Sequence, residues 1–209
     1  YNSIPGTYYK ESLKEYDLVV ASESVASTNK FGIALSDLVG KVPMLNLKAF
    51  YYGSASWNWA SAINPTAGST GWNQIIVSDA FKTHSLFKGI NFDGTITLFD
   101  GTAKTSNNVQ SYTSPKEIIA SDEVLATNAS NGYNAIHEHK QSNGKNGYIL
   151  IPLSYAAIET LTPDAKTLIT NAASYLAATK SEYTVPAQVE NPVISYDTDN
   201  NVTISCPTH

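Results

Sequence analysis

The sequence predicts an α/β domain with a mostly parallel sheet and some antiparallel strands. Three features carry that reading: short apolar, β-branched runs that end in small polar residues, a helical spacing enclosed between two such runs, and a long amphipathic segment behind the last one. "YDLVVASES" (Tyr16 to Ser24) reads as a buried parallel strand. Behind it, Phe31, Ala34, Leu35, Leu38 and Val39 fall at helical spacing, with Ser27 or Thr28 available as N-cap and Gly40 as the stop. "VPMLNL" (Val42 to Leu47) is the next buried strand, which completes a βαβ unit.

Lys48 to Asn73 reads as a long loop rich in aromatics, Gly and Ser, of a length that is usually functional. "QIIVSD" and "GTITLFD" are strands on either side of a helical turn at "HSLFKGI". "VQSYT", "EIIASD", "EVLATN" and "YNAIHEHK" are short strand-like runs separated by turn dipeptides, a pattern that suggests antiparallel pairing at one side of the sheet. "YILIPLS" is a further buried strand. The closing helix follows, with Thr162 as N-cap, Pro163 at its first position and Ala165, Leu168, Ile169, Ala172 and Leu176 on one face. Residues 1–180 thus read as the domain, 181–192 as a linker, and 193–209 as two hairpin strands that start a further, truncated β domain.

Composition narrows the function classes. The chain has 209 residues, 42% hydrophobic and 15% charged, which suffices for a core and excludes a disordered chain. Net charge is −5, and all 13 basic residues are lysines. Without arginine or basic runs there is no electrostatic footprint for nucleic acid or an anionic membrane. No apolar run is long enough to span a bilayer. The single cysteine, Cys206, cannot form an intrachain disulfide. The 13 tyrosines, three tryptophans and abundant Ser, Thr and Asn lean towards a secreted or surface protein. Asn128-Ala-Ser130 and Asn201-Val-Thr203 match the glycosylation pattern, which has no meaning in a bacterial protein. Neither a Walker loop nor Gly-x-Gly-x-x-Gly occurs, so no nucleotide cofactor is expected.

The run from "YDLVVASES" through "VPMLNL" to "GYILIPLS" and its helix resembles the class I glutamine amidotransferase-like superfamily, nearest to its trehalose-utilisation type, over about Tyr16 to Ala178. "YDLVVASESVAST", "KVPMLNLKAFYYG", "WNW" and "AIHEH" together look like a domain of large secreted proteins of the Bacteroidetes. The tail "PVISYDTDNNVTISCPT" resembles the opening strands of the C-terminal β-sandwich of chitobiase and β-hexosaminidase enzymes. The resemblance implies a three-layer, flavodoxin/amidotransferase-like fold. It also implies a βαβ unit ahead of Tyr16, where fifteen residues stand, so either the front of the domain is missing or the sheet is small. Catalytic members carry a Cys or Ser on a sharp turn, and here that turn reads "KAFYYG", with Lys48 and Ala49 and no Cys or Ser before Ser54. The amidotransferase nucleophile is therefore absent.

Two clusters remain as candidate sites. In "HEH", strand alternation puts His137 and His139 on one face and Glu138 on the other. His-x-His can supply two zinc ligands, but no second His, Cys or Asp pair with ligand spacing appears, so no metal is expected. Either the polar end of this strand faces solvent, or His137 or His139 lines a crevice at the carboxyl ends of the parallel strands. Asp122-Glu123 reads as a solvated turn. In "FYYGSASWNWA", Tyr51, Tyr52, Trp57 and Trp59 are either a sugar-stacking surface or loop-packing residues. Ligand contact would then fall to Tyr51, Trp57, Trp59 and His137. The expected function is a non-catalytic binding or scaffolding module of a larger secreted or surface bacterial protein, associated with polysaccharide handling. Its partners would be carbohydrate and other domains of the same chain. The rival reading is a glycoside hydrolase-like enzyme with a crevice of Glu23, His137 and His139; Glu23 stands at a strand's carboxyl end, where α/β active sites lie.

Overall fold

The computed structural model describes residues 12–63, 71–100, 108–154, 160–182, 193–196 and 202–205. The first βαβ unit forms as its sequence dictates. Strand β1 (Val19–Ala21) leads through helix α1 (Lys30–Ala34) and a 3-10 turn (Leu35–Leu38) to β2 (Met44–Asn46), which lies parallel to β1. The cap is Asn29, not Ser27 or Thr28: its Oδ1 accepts from the backbone of Phe31 at 2.8 Å. Gly40, at φ 78°, turns the chain into β2.

Beyond β2 the expected architecture fails. The other strands are β3 (Ala60–Ile63), β4 (Gln74–Val77), β5 (Thr95–Thr97), β6 (Tyr112–Pro115), β7 (Glu123–Asn128), β8 (Asn134–His139) and β9 (Tyr148–Leu150). They join β1 and β2 in a nine-stranded sheet of order β1-β2-β9-β8-β7-β4-β5, with β3 and β6 branching from β8. Only β1–β2 and β2–β9 are parallel; the other pairs are antiparallel. The domain is thus a β-rich, mixed sheet, not a three-layer, flavodoxin-like or amidotransferase-like α/β fold.

The reason lies in the connections. A parallel neighbour needs a crossover of a dozen or more residues, usually a helix. Between β4 and β5 the chain makes only two 3-10 turns (Asp79–Phe81 and Ser85–Phe87), so β5 returns antiparallel. β7 and β8 are joined through Gly132 (φ 71°), and β8 and β9 through Gly144 (φ 67°) and Asn146 (φ 50°). Left-handed residues at these positions favour tight reversals over crossovers. "EIIASD" is likewise a 3-10 turn (Glu117–Ile119) and not a strand, and the supposed long loop holds a 3-10 turn (Ala49–Tyr52) and β3.

Each face of the sheet carries its own core. On one, Leu45, Ile75, Leu125, Ile136 and Ile149 pack with helix α2 (Pro163–Ala177). Thr162 caps α2 as expected: its Oγ1 accepts from Ala165 N at 3.0 Å and donates to Thr97 O at 2.7 Å, tying the helix start to β5. On the other face, Val19, Met44, Tyr148 and Leu150 lie under α1 and the aromatic segment 49–60. Strands β10 (Val193–Tyr196) and β11 (Val202–Ser205) form a separate antiparallel pair, as the tail's alternation predicts. Cys206, residues 183–192 of the linker and the Asp199–Asn201 turn lie outside the described residues.

Leu168 is fully buried on the inner face of α2. Truncation there removes apolar contacts and leaves a cavity, so Leu168→Ala is expected to lower stability by about 2–5 kcal/mol in urea unfolding. A loss below about 1 kcal/mol would show that α2 is not docked on this core.

Candidate functional site

The "HEH" strand does not run out into solvent. His137 is 0% and Glu138 2% exposed, because β8 lies between β7 and β9 with cover on both faces. The alternation holds, and each face has its own polar cluster.

On the aromatic face, His137 is held at both ring nitrogens. Nε2 is 3.0 Å from the Tyr52 hydroxyl and Nδ1 is 2.7 Å from the Tyr112 hydroxyl. A neutral imidazole donates at one nitrogen and accepts at the other, so the two hydroxyls play opposite roles. The Tyr52 hydroxyl is 2.7 Å from that of Tyr148, which accepts from Asn46 Nδ2 at 2.8 Å. Burial, helped by the nearby His139, pushes the His137 pKa down to about 3, so its ring stays neutral. Asp122, which reads as a turn residue in the sequence, is the missed member. Its Oδ1 is 2.6 Å from His139 Nδ1 and its Oδ2 is 3.4 Å from His137 Nε2. Burial raises the Asp122 carboxyl, although His139 opposes that shift.

On the helix face, Glu138 Oε1 accepts from the Tyr175 hydroxyl at 2.7 Å, and Oε2 lies 3.2 Å from His84 Nε2 and 3.4 Å from Lys140 Nζ. His84 Nδ1 accepts the backbone N–H of Leu86 at 3.2 Å, which places the proton of a neutral ring on Nε2, facing Glu138. Glu138 therefore ties α2 and the Ser85–Phe87 turn to the sheet. Burial works against its charge, but the hydrogen bonds from His84 and Tyr175 and the charge of Lys140 prevail and hold its carboxyl below the usual range.

The crevice residues predicted from sequence are not brought to one point. Leu150 of β9 lies opposite His137 and pairs with Asn46, which pairs with Ala21. His137 is therefore in the last row before the carboxyl ends of the parallel strands, where Glu23 follows. Because β8 runs antiparallel to β9, His139 lies opposite Tyr148, at the other end. Glu23 is held by other groups: its Oε1 is 3.2 Å from Lys48 Nζ and 3.3 Å from Gln110 Nε2, and all three residues are buried. Among the described residues, no group of three or more His, Cys, Asp or Glu is placed to hold a metal ion.

Tyr51, Trp57 and Trp59 lie in the core, and their rings pack on one another. Tyr51 and Trp57 stack at 5.0 Å, Trp57 and Trp59 meet at 4.9 Å, and Tyr52 and Trp59 at 5.4 Å. Trp57 Nε1 donates to Gly32 O at 2.9 Å. Only glycine fits at position 32, since an added Cβ would stand 2.6 Å from Tyr51 Cε1. Asn128 of the first glycosylation pattern is fully buried, and its Nδ2 donates to Val109 O at 2.6 Å.

The fold and this interior define a mixed-sheet domain whose middle strand carries a polar cluster on each face. A scan against protein-family models finds no match, and a search of curated proteins finds none either. No helix among the described residues is long and apolar enough to cross a membrane.

Two predictions test this interior. Tyr52→Phe leaves a buried imidazole nitrogen without its partner, so stability is expected to fall by about 1–3 kcal/mol in urea unfolding. A neutral result would mean that another group or a water fills the gap. The second concerns acid. A carboxylate held below its ordinary pKa contributes stability that is present above the unfolded value, about 4.3 for Glu, and lost as pH falls through the folded value. Glu138 should thus steepen the fall of the thermal midpoint below about pH 4.3, and Glu138→Gln should flatten it. His139 has the opposite sign: the Asp122 hydrogen bond raises its pKa, and its contribution fades as pH rises through the raised value. An unchanged acid limb in Glu138→Gln would assign the acid sensitivity to other groups.

Proposed function

We propose that this domain is a non-catalytic binding or scaffolding module of a larger secreted or surface protein. One observation carries the reading: the side chains best suited to chemistry are consumed as structural partners inside the sheet. His137 has no exposed surface and tyrosine hydroxyls at both ring nitrogens, and Glu138 is spent on His84, Tyr175 and Lys140. A general base needs its nitrogen within reach of a substrate proton, and a metal ligand needs a free lone pair. His137 offers neither. His139 and Glu23 stand at opposite ends of the parallel strands, which argues against a shared hydrolytic crevice.

The association with polysaccharide rests on the likeness of the tail to a β-sandwich of carbohydrate-active enzymes, since the aromatic segment is spent on packing. Incubation with a panel of soluble polysaccharides, with affinity-gel electrophoresis and a reducing-end assay in parallel, tests both parts. The expected result is retardation by at least one glycan with no release of reducing ends. No retardation by any glycan would remove the carbohydrate part. Release of reducing ends, abolished in Glu23→Gln, would overturn the non-catalytic reading.

A further inference from the structure

We propose that Lys48 and Gln110 are joined by an intramolecular isopeptide bond, with Glu23 carrying the protons. Four observations converge at the carboxyl ends of β1 and β2. An amine, a primary carboxamide and a carboxylate, from residues far apart in sequence, are all buried: Lys48 and Glu23 are 7% exposed and Gln110 is 2%. The nucleophile and the leaving group share one oxygen, for Lys48 Nζ lies 3.2 Å and Gln110 Nε2 3.3 Å from Glu23 Oε1. The backbone N–H of Ala49 donates to Gln110 Oε1 at 3.2 Å, on the oxygen where negative charge would develop. The other carboxylate oxygen, Glu23 Oε2, is buried with no hydrogen-bond partner and so remains available as a proton acceptor. The framework is held as well: Lys48 N donates to Asn46 Oδ1 at 2.9 Å, and Gln110 N to Pro152 O at 3.2 Å.

A buried ion pair costs desolvation energy that its attraction does not reliably return, so its presence asks for a further reason. Here both charges can be removed by reaction. Glu23 takes a proton from the Lys48 ammonium, and the free amine attacks Gln110 Cδ. The tetrahedral oxyanion is met by the Ala49 N–H. The Cδ–Nε2 bond then breaks as Glu23 returns that proton to the leaving nitrogen, and Glu23 takes up the second proton of the attacking nitrogen. The lysine ammonium, the Glu23 carboxylate and the glutamine carboxamide thus become a secondary amide, a neutral Glu23 carboxyl and ammonia; no oxidant, reductant or cofactor is needed. Burial excludes the water that would compete for the carbonyl, and the fixed approach replaces a bimolecular encounter.

The test is the intact mass of the purified protein under denaturing conditions, followed by a tryptic map. The expected mass is that of the sequence less one ammonia. In the map, the peptide carrying Lys48 should be uncleaved there and joined to the one carrying Gln110. Glu23→Gln and Lys48→Met should each return to the full sequence mass. The full mass in the unaltered protein overturns the proposal, and this reading requires no variant to fold. So does a lost ammonia that maps to a succinimide at the exposed Asn143-Gly144 step, or one that persists in Lys48→Met. A loss that persists in Glu23→Gln overturns the role given to Glu23.

Discussion

The interaction on which the rest of the structure depends is the neutral, two-sided binding of His137 inside β8. An imidazole with no solvent contact must have both nitrogens satisfied, because an unpaired buried polar group costs about as much as a hydrogen bond is worth. Tyr52 and Tyr112 supply those partners, from a 3-10 turn and a strand on the same face. That requirement fixes where the aromatic segment crosses the sheet and where β6 meets β8. One residue later the same demand falls on the other face, where Glu138 selects the places of His84 and Tyr175. A single short strand thus specifies the packing of both layers.

The mixed sheet follows from a similar local economy. Three strands, β1, β2 and β9, lie parallel, but only one crossover helix is spent in making them so. β9 reaches its parallel place beside β2 from the neighbouring antiparallel strand β8, through a turn with left-handed residues at Gly144 and Asn146. Antiparallel neighbours require no helix between them, so a chain of this length can extend its sheet while covering the two faces with different material. One face gets α2, the other rings and 3-10 turns.

Much of this was legible in the sequence at the level of single elements. The βαβ unit at its front, the Thr162 cap with Pro163, the alternation in "HEH" and the tail hairpin each rest on a local rule that tertiary contacts reinforce. The topology was not, because a buried apolar run reads alike whether its neighbour is parallel or antiparallel, and "YILIPLS" carries no mark of direction. Asp122 was unreadable for another reason: an Asp-Glu pair ahead of a strand normally points to water, and only the bend that carries it over β8 buries its carboxylate against two histidines. Gln110 gave no signal, and Lys48 stood out only as part of a turn that lacks a nucleophile, since a lone amide and a lone amine acquire meaning only when the fold brings them to one carboxylate.

Asn46 connects the two polar systems. Its Oδ1 accepts from the backbone N–H of Lys48, and its Nδ2 donates to Tyr148, which leads through Tyr52 to His137. An asparagine at the carboxyl end of β2, the middle of the three parallel strands, is costly there, and the residue is fully buried. Both ends of its amide are nevertheless satisfied, each by a different half of the site. The residue therefore sets the register between the tyrosine–histidine network and the Glu23–Lys48–Gln110 cluster. A hydrophobic residue at position 46 would fill the volume and yet leave the Lys48 backbone N–H without its acceptor and the Tyr148 hydroxyl with Tyr52 alone. Polar atoms at this place stabilise the domain less by their own bonds than by leaving it one way to align its two faces.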